Sequence, residues 1–237
     1  MAAHSWRTVV VRESRRKYHF RIRKNVSDIV EEFDLQAITR IMVPTVQSNH
    51  AQNFVQLKCP LSTLICREKT VIFGDVTIGA ECVIHPTVQI LAKNGPIVIG
   101  NNNLIEERVV IINNRPQPMH IGDHNVFEVD SYCDSARVGN NNIMEAKSSI
   151  GPDIELSDGC IIGAGCRLID YRSNDPSGII ERLDPNTVIT GQNLSRRVVY
   201  NLPASSHASQ LDFLRKILPN YQKLWRPSNL PLTPQQR

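Results

Sequence analysis

From Ile72 to Leu168 an aliphatic residue returns about every six positions, in units such as IGAECV, IGNNNL, IGDHNV, VGNNNI and IGAGCR. A short fixed period of this kind is the signature of a solenoid. Six residues do not fit the 3.6-residue turn of a helix. They fit one short strand plus one corner, so three units make a triangular coil of about 18 residues. The inward positions are Ile72, Ile78, Ile84 and Ile90, then Ile99, Ile105 and Ile111, then Ile121, Phe127 and Cys133, then Val138, Met144, Ile150, Leu156, Ile162 and Leu168. By alternation the residue two before each also points inward, and there the chain repeatedly places Cys, Val, Asn or Ser. The predicted class is all-β, a parallel β-helix of hexapeptide repeats with a C-terminal α-helix.

The breaks in phase support this register. Three extra residues precede Ile99, four precede the coil of Ile121, and one is missing before Val138. With these allowed, Ile78, Ile99, Ile121, Val138 and Leu156 fall in one column, and the pattern realigns after every insertion. Gly79, Gly100, Gly122 and Gly139 form a second column, expected to supply unusual corner angles. Asn103, Asn125 and Asn142 form a third, and amides stacked about 4.8 Å apart can hydrogen-bond along the stack. The insertions LAKNGP and INNRPQPMH read as corner loops, DYRSNDPSG as a polar loop, and Leu183 with Ile189 as a final coil.

From Ser206 the period becomes helical, with Leu211, Leu214, Ile217, Leu218, Tyr221, Leu224 and Trp225 on an apolar face. That face is expected to lie against the flank of its own solenoid, with docking into a neighbour as the alternative. Pro219 is expected to kink or split the helix. The tail RPSNLPLTPQQR reads as disordered, and its Thr233–Pro234 pair is a minimal proline-directed phosphorylation site. At the other end, Val9–Val11 and the Tyr18, Phe20, Ile22 alternation read as strand, and Val26–Ile41 as one short helix. The domain division is 1–57, a basic extension that is disordered or a gene-model artefact; 58–200, the β-helix; and 201–237, the helix and tail.

Charge separates the two ends. The net charge is +4, but residues 1–24 hold eight Lys/Arg against Glu13, an excess of +7, which leaves about −3 for the rest. The folded part is therefore no nucleic-acid surface, and the arm reads as a mitochondrial presequence, a solvated basic arm, or an upstream exon or mis-set start codon. No apolar run approaches the ~20 residues of a membrane span. Six cysteines without CxxC spacing argue against a zinc ribbon or a disulfide framework and fit a reducing cytosolic setting.

The residue after the second inward column runs His85, Glu106, Glu128, Glu145, Gly163. Three carboxylates at strand spacing repel one another unless Arg108 and Lys147, or a partner's cations, offset them. Glu106, Glu128 and Glu145 are accordingly the candidate partner-binding residues, a solvated edge being the plainer reading. Acyl transfer would need a general base, and His85, His120 and His124 are the candidates, none with an identifiable orienting group. FGDVTIG, TVIHP and IGNNNLIEE resemble the γ-carbonic-anhydrase pattern: His85 matches its first ligand, but Asn101 and Glu106 stand where a histidine pair belongs and Phe73 replaces an expected Arg. A catalytic zinc wants three protein ligands, typically imidazoles. No catalytic residue, metal or cofactor is expected, and a γ-carbonic-anhydrase-like metalloenzyme and a hexapeptide acyltransferase are the alternatives.

The motifs GDVTIG, VIHP, GPIVIGNNNLIEE, IGDHNVFEV, GCIIGAGC, NTVITG and above all QLDFLRKILPNY resemble the subunit six family of dynactin, over about residues 60–225. The resemblance implies a left-handed parallel β-helix and a non-catalytic role. It implies pairing with the paralogous β-helix subunit and, with a larger zinc-binding subunit and an actin-related protein, capping of the pointed end of the dynactin filament. It further implies a cytoplasmic, cytoskeletal protein supporting dynein-driven transport of cargo along microtubules.

Overall fold

The computed structural model describes residues 7–13, 16–22, 55–169, 180–200 and 207–225. They belong to two compact units, Met1–Ala51 and Gln52–Arg237. In the first, β1 (Arg7–Glu13) and β2 (Arg16–Ile22) pair as an antiparallel hairpin, the strands expected from the alternation there. The short helix expected at 26–41, the polar loop at 170–178 and the tail with Thr233 lie outside the described residues.

The second unit is a parallel β-helix with three faces, of the kind the resemblance implies. The first face stacks β3 (Val55–Lys58), β5 (Val71–Ile78), β8 (Ile97–Ile99), β11 (Met119–Ile121), β14 (Arg137–Val138), β17 (Ile154–Leu156) and β19 (Glu181–Leu183). The second stacks β4 (Leu64–Ile65), β6 (Val83–Ile84), β9 (Leu104–Ile105), β12 (Val126–Phe127), β15 (Ile143–Met144), β18 (Ile161–Ile162) and β20 (Thr187–Thr190). The third stacks the start of β5 with β7 (Gln89–Ala92), β10 (Val110–Asn113), β13 (Tyr132–Cys133) and β16 (Ser149–Ile150). Strand β5 bends across a corner and so joins the first and third faces.

From β6 through β15 each strand pairs with the strand three later, so every coil rests on the one before it. The register aligns Ile78, Ile99, Ile121, Val138, Leu156 and Leu183, as the sequence columns require. It likewise aligns Ile84, Ile105, Phe127, Met144, Ile162 and Ile189, all buried, and Leu183 and Ile189 open the expected final coil. The positions two before are buried as well, among them Val76, Cys82, Asn103, Asn125, Asn142 and Cys160. The stack starts earlier than the rhythm at Ile72 shows, because β3 already pairs with β5 through a segment that lacks the Gly signal. The two insertions form stacked corner loops: Lys93 N–H donates to Asn113 O (3.1 Å), and Asn113 Nδ2 donates to Pro96 O (3.0 Å) and Gln117 O (2.8 Å).

The glycine column works differently from the expectation. Gly79, Gly100, Gly122 and Gly139 do not adopt left-handed φ; the left-handed corner positions hold Glu81, Asn102, His124 and Asn141 on one edge and Thr87, Arg108, Asp130 and Lys147 on another. The glycines are needed for space. A Cβ on Gly79 would lie 2.6 Å from Asn101 Oδ1 and 2.5 Å from the Gly100 carbonyl carbon of the next coil. The same clash repeats up the column, against Asp123, Asn140 and Asp158.

Helix α1 (His207–Tyr221) lies on the second face. Outward side chains there are apolar, and Val83, Leu104, Val126 and Cys66 are buried with Leu211 and Leu218 of the helix. Burying one such aliphatic side chain contributes roughly 1.5–3 kcal/mol, so the flank of the solenoid is a large part of why this segment is helical. On one side of α1 the Arg215 guanidinium donates to Asn102 Oδ1 (3.0 Å) and to Glu81 O. Pro219 neither splits nor ends the helix, which runs on to Tyr221. Lying in the last turn, it forfeits one hydrogen bond rather than breaking a long ladder. After the helix the chain returns beside β4, with Arg67 N–H to Lys223 O and Trp225 N–H to Ile65 O both at 2.7 Å. At the far end β21 (Ser195–Val198) adds antiparallel to β20 and so covers the last parallel strand of this sheet.

Gly100→Ala is expected to lower unfolding stability by about 2 kcal/mol or more, because the methyl meets backbone and displaces a corner hydrogen bond. Gly165→Ala, at φ +69° with nothing within 4 Å, should lose only about 1 kcal/mol from backbone strain. Urea unfolding of the two variants ranks them; equal losses would remove the steric account.

Candidate functional site

Parallel strands of two to four residues leave their corner amides without a partner in the ladder, and a buried unpaired N–H is expensive. Three columns of side chains take up these amides. Asn103 Oδ1 accepts from Asn125 N–H (2.8 Å), Asn125 Oδ1 from Asn142 N–H (2.9 Å) and Asn142 Oδ1 from Cys160 N–H (2.7 Å). Each link reaches forward to the next coil. The corner residues Asn101, Asp123, Asn140 and Asp158 reach backward, accepting from Ala80, Asn101, Asp123 and Asn140 N–H at 2.6–2.8 Å. The stacked asparagines expected to bond along the stack therefore do so mainly from side chain to backbone.

The third column is the one expected to contact partners. Glu106 Oε2 accepts from Val129 N–H (3.2 Å), Glu128 Oε2 from Ala146 N–H (2.9 Å) and Glu145 Oε2 from Ala164 N–H (2.8 Å). The register brings the three together on one corner. Their charge is not offset by Arg108, which makes a two-pronged pair with Asp130 (Nε–Oδ1 2.6 Å, NH2–Oδ2 2.8 Å) and holds that carboxyl below its ordinary range. The repulsion is met by backbone amides instead. Burial raises the Glu106 carboxyl above its usual value; the Val129 amide opposes the rise and the Glu128 charge adds to it. One oxygen of each carboxylate is thus committed to the fold. Sequence reasoning found the column but not this amide-capping role, whose sole signal is Glu at the same corner position in three successive coils.

His85 heads the column. Its Nδ1 lies 2.8 Å from Glu107 Oε1, an orienting partner that the sequence did not reveal, and its Nε2 is buried without a hydrogen-bond partner. Burial pushes the Glu107 carboxyl upward, but the hydrogen bond and charge of His85 outweigh it and leave the group below its ordinary value. The positions that would complete a γ-carbonic-anhydrase site serve other ends: Asn101 Oδ1 holds Ala80 N–H, Glu106 Oε2 holds Val129 N–H, and Phe73 points outward, 39% exposed. Among the described residues no group of three or more His, Cys, Asp or Glu is placed to hold a metal ion. His120 lies on the outer surface of the first face and His124 at a left-handed corner, so the three histidines do not converge. Burial raises the thiols of Cys66 and Cys82 to about 11 and that of Cys133 to about 12, which keeps them protonated and inert.

No family model matches the chain. Dynactin subunit 6 of Nematostella vectensis is 45% identical over 184 residues, covering 73% of this chain and 94% of that protein. Dynactin subunit 6 of Danio rerio is 42% identical over 180 residues, covering 71% and 87%. A carbonic anhydrase of Methanosarcina thermophila is 29% identical over 98 residues, 39% of this chain and 38% of that one. Among solved structures, a hexapeptide transferase family protein from Anaplasma phagocytophilum has a TM-score of 0.49 at 18% identity, covering 70% of this chain and 89% of that chain. Identity above 40% with two subunits over nearly their whole lengths places this chain in the dynactin subunit 6 family.

Proposed function

We propose that this chain is a non-catalytic structural subunit of dynactin, acting in the pointed-end complex that supports dynein-driven transport in the cytoplasm. The observation that carries this reading is that Asn101 and Glu106, which stand where an enzyme's histidine pair would be, each hold a backbone amide of a neighbouring coil. A rigid solenoid presents long surfaces whose geometry needs no ligand to form, which suits an assembly subunit. Its proposed partners are the paralogous β-helix subunit and the other pointed-end subunits, including an actin-related protein. The N-terminal arm at 1–57 is proposed to stand apart from this role, and Thr233 is proposed as a phosphorylation site.

The metalloenzyme reading keeps one point in its favour, the buried unpartnered Nε2 of His85. Affinity purification from cells followed by mass spectrometry should recover dynactin subunits. Recovery of none, together with stoichiometric zinc and hydratase activity in the purified protein, would overturn the proposal; binding of acyl-CoA would point to the acyltransferase instead. Phosphopeptide mapping that never finds Thr233 modified ends the phosphorylation proposal.

The glutamate column separates fold from association. Glu128→Leu removes the acceptor of Ala146 N–H and should lower stability by about 1 kcal/mol, whereas Glu128→Gln keeps an acceptor oxygen and should change it by less than half of that. Urea unfolding checks the pair, and equal losses would mean the amide bond contributes nothing.

A further inference from the structure

We propose that Asn94 is a site of spontaneous deamidation, and that its conversion to aspartate and isoaspartate unfastens the two stacked corner loops. This goes beyond the scaffold reading and does not depend on it. Asn94–Gly95 is the one Asn–Gly pair in the chain; every other asparagine is followed by a residue with a side chain. Glycine presents its amide nitrogen with no Cβ beside it, so that nitrogen can reach the side-chain carbonyl carbon of the residue before. The Gly95 nitrogen attacks Asn94 Cγ. A C–N bond forms, the Cγ–Nδ2 bond breaks, and the amide proton leaves with the NH2 group as ammonia. The cyclic imide left behind takes up water at either of its carbonyls. It opens to Asp or, with the main chain rerouted through the side chain, to isoAsp.

The fold leaves this reaction open at Asn94 and closes it at the other candidate. Asn94 is exposed, and among the described residues Gly95 N–H donates to no acceptor. A single contact holds the leaving amide, Nδ2 to Asn114 O at 2.6 Å. Asp158–Gly159 is the matching acidic pair, able to form the same imide by losing water, and Asp158 is exposed as well. There the nitrogen is engaged. Gly159 N–H donates to Asn140 O (2.9 Å), while Asp158 Oδ1 accepts from Asn140 N–H (2.6 Å) and Nδ2 (3.2 Å). The links between coils thus protect Asp158, and the insertion that carries Asn94 lies outside those columns.

The consequence falls on the corner between the third and first faces. Lys93 and Asn94 N–H both donate to Asn113 O (3.1 and 3.3 Å). Gly95 lies so close to the next loop that a Cβ on it would be 2.5–2.8 Å from the carbonyl oxygens of Arg115, Pro116 and Gln117. A carboxylate at position 94 removes the donor to Asn114 O and sets a charged oxygen against that carbonyl. The isoAsp product also lengthens the main chain by one atom where the neighbouring loop leaves no room. The two loops therefore loosen as the protein ages, and their corner gains negative charge.

The test holds the full chain in mildly alkaline buffer, native and in urea. Peptide mapping by mass spectrometry follows it, and labelling by an isoaspartate-specific carboxyl methyltransferase reads isoAsp. In the native chain the Asn94 peptide should gain the mass of an amide turned acid and accept methyl groups, while Asp158 stays intact. In urea both sites should react. Asn94→Gln, whose longer side chain closes its ring far more slowly, should abolish the native signal at this peptide. Asn94→Asp mimics one product: the amides of residues 93 and 94 should lose protection from hydrogen exchange roughly tenfold. The Gly100 amide, bonded to Ile121 O at 2.8 Å, should keep its own. A native chain that stays unmodified at Asn94 while the urea sample reacts overturns the proposal, as does native reaction of Asp158 at the same rate. Unchanged exchange at residues 93 and 94 overturns the claim that the loops are unfastened.

Discussion

Every coil of this solenoid turns three corners, and at two of them backbone amides leave the strand ladder and are met by a side chain of the neighbouring coil. The fold depends on how those amides are met. Asn103, Asn125 and Asn142 reach to the coil ahead, Asn101, Asp123, Asn140 and Asp158 reach to the coil behind, and Glu106, Glu128 and Glu145 reach ahead again from another corner. The core alone would stack, since aliphatic columns bury well in many registers. The polar links specify one register, because a slip by a single residue would strand every acceptor together with its amide. The glycine column follows from the same constraint, since Gly79, Gly100, Gly122 and Gly139 leave room for the backward-reaching side chains.

The consequence for function is a shortage of spare polar groups. A hexapeptide coil can carry chemistry at its corners only if side chains there are free to bind substrate or metal. Here the histidines are scattered, the amides and carboxylates are tied to backbone, and burial holds the cysteines protonated. Among the described residues the second oxygens of Glu128 and Glu145 and the exposed Phe213 and Tyr221 of α1 stay open to a partner, which fits the proposed role in assembly.

The columns were legible in the sequence because inward residues repeat at fixed spacing and realign after each insertion, as Ile78, Ile99, Ile121 and Val138 do. Their reasons were less so. The contact that requires Gly100 comes from a residue one full coil away, and local angles alone suggested a conformational role that Asn102 and His124 fill instead. The outward column Val83, Leu104, Val126 was hidden because each member directly precedes an inward residue, so the pair reads as one apolar doublet. Without that column the packed face of α1 was not identifiable, and Tyr221 was grouped with Leu218. Strand β21 carries the polar run SRRV, all of it exposed, and has no inward position to betray it.

The most direct test of the account is native-state hydrogen exchange in Asn125→Leu protein. Leu has the branching and the heavy-atom count of Asn but no acceptor, and Asn125 Oδ1 accepts from Asn142 N–H. The account predicts that the Asn142 amide loses protection by roughly ten- to a hundredfold, equivalent to about 1–3 kcal/mol, while the neighbouring Ile143 amide, held by Cys160 O at 2.9 Å, exchanges much as before. An Asn142 amide as well protected as in the wild-type chain would contradict the claim that side chains of one coil hold the backbone of the next.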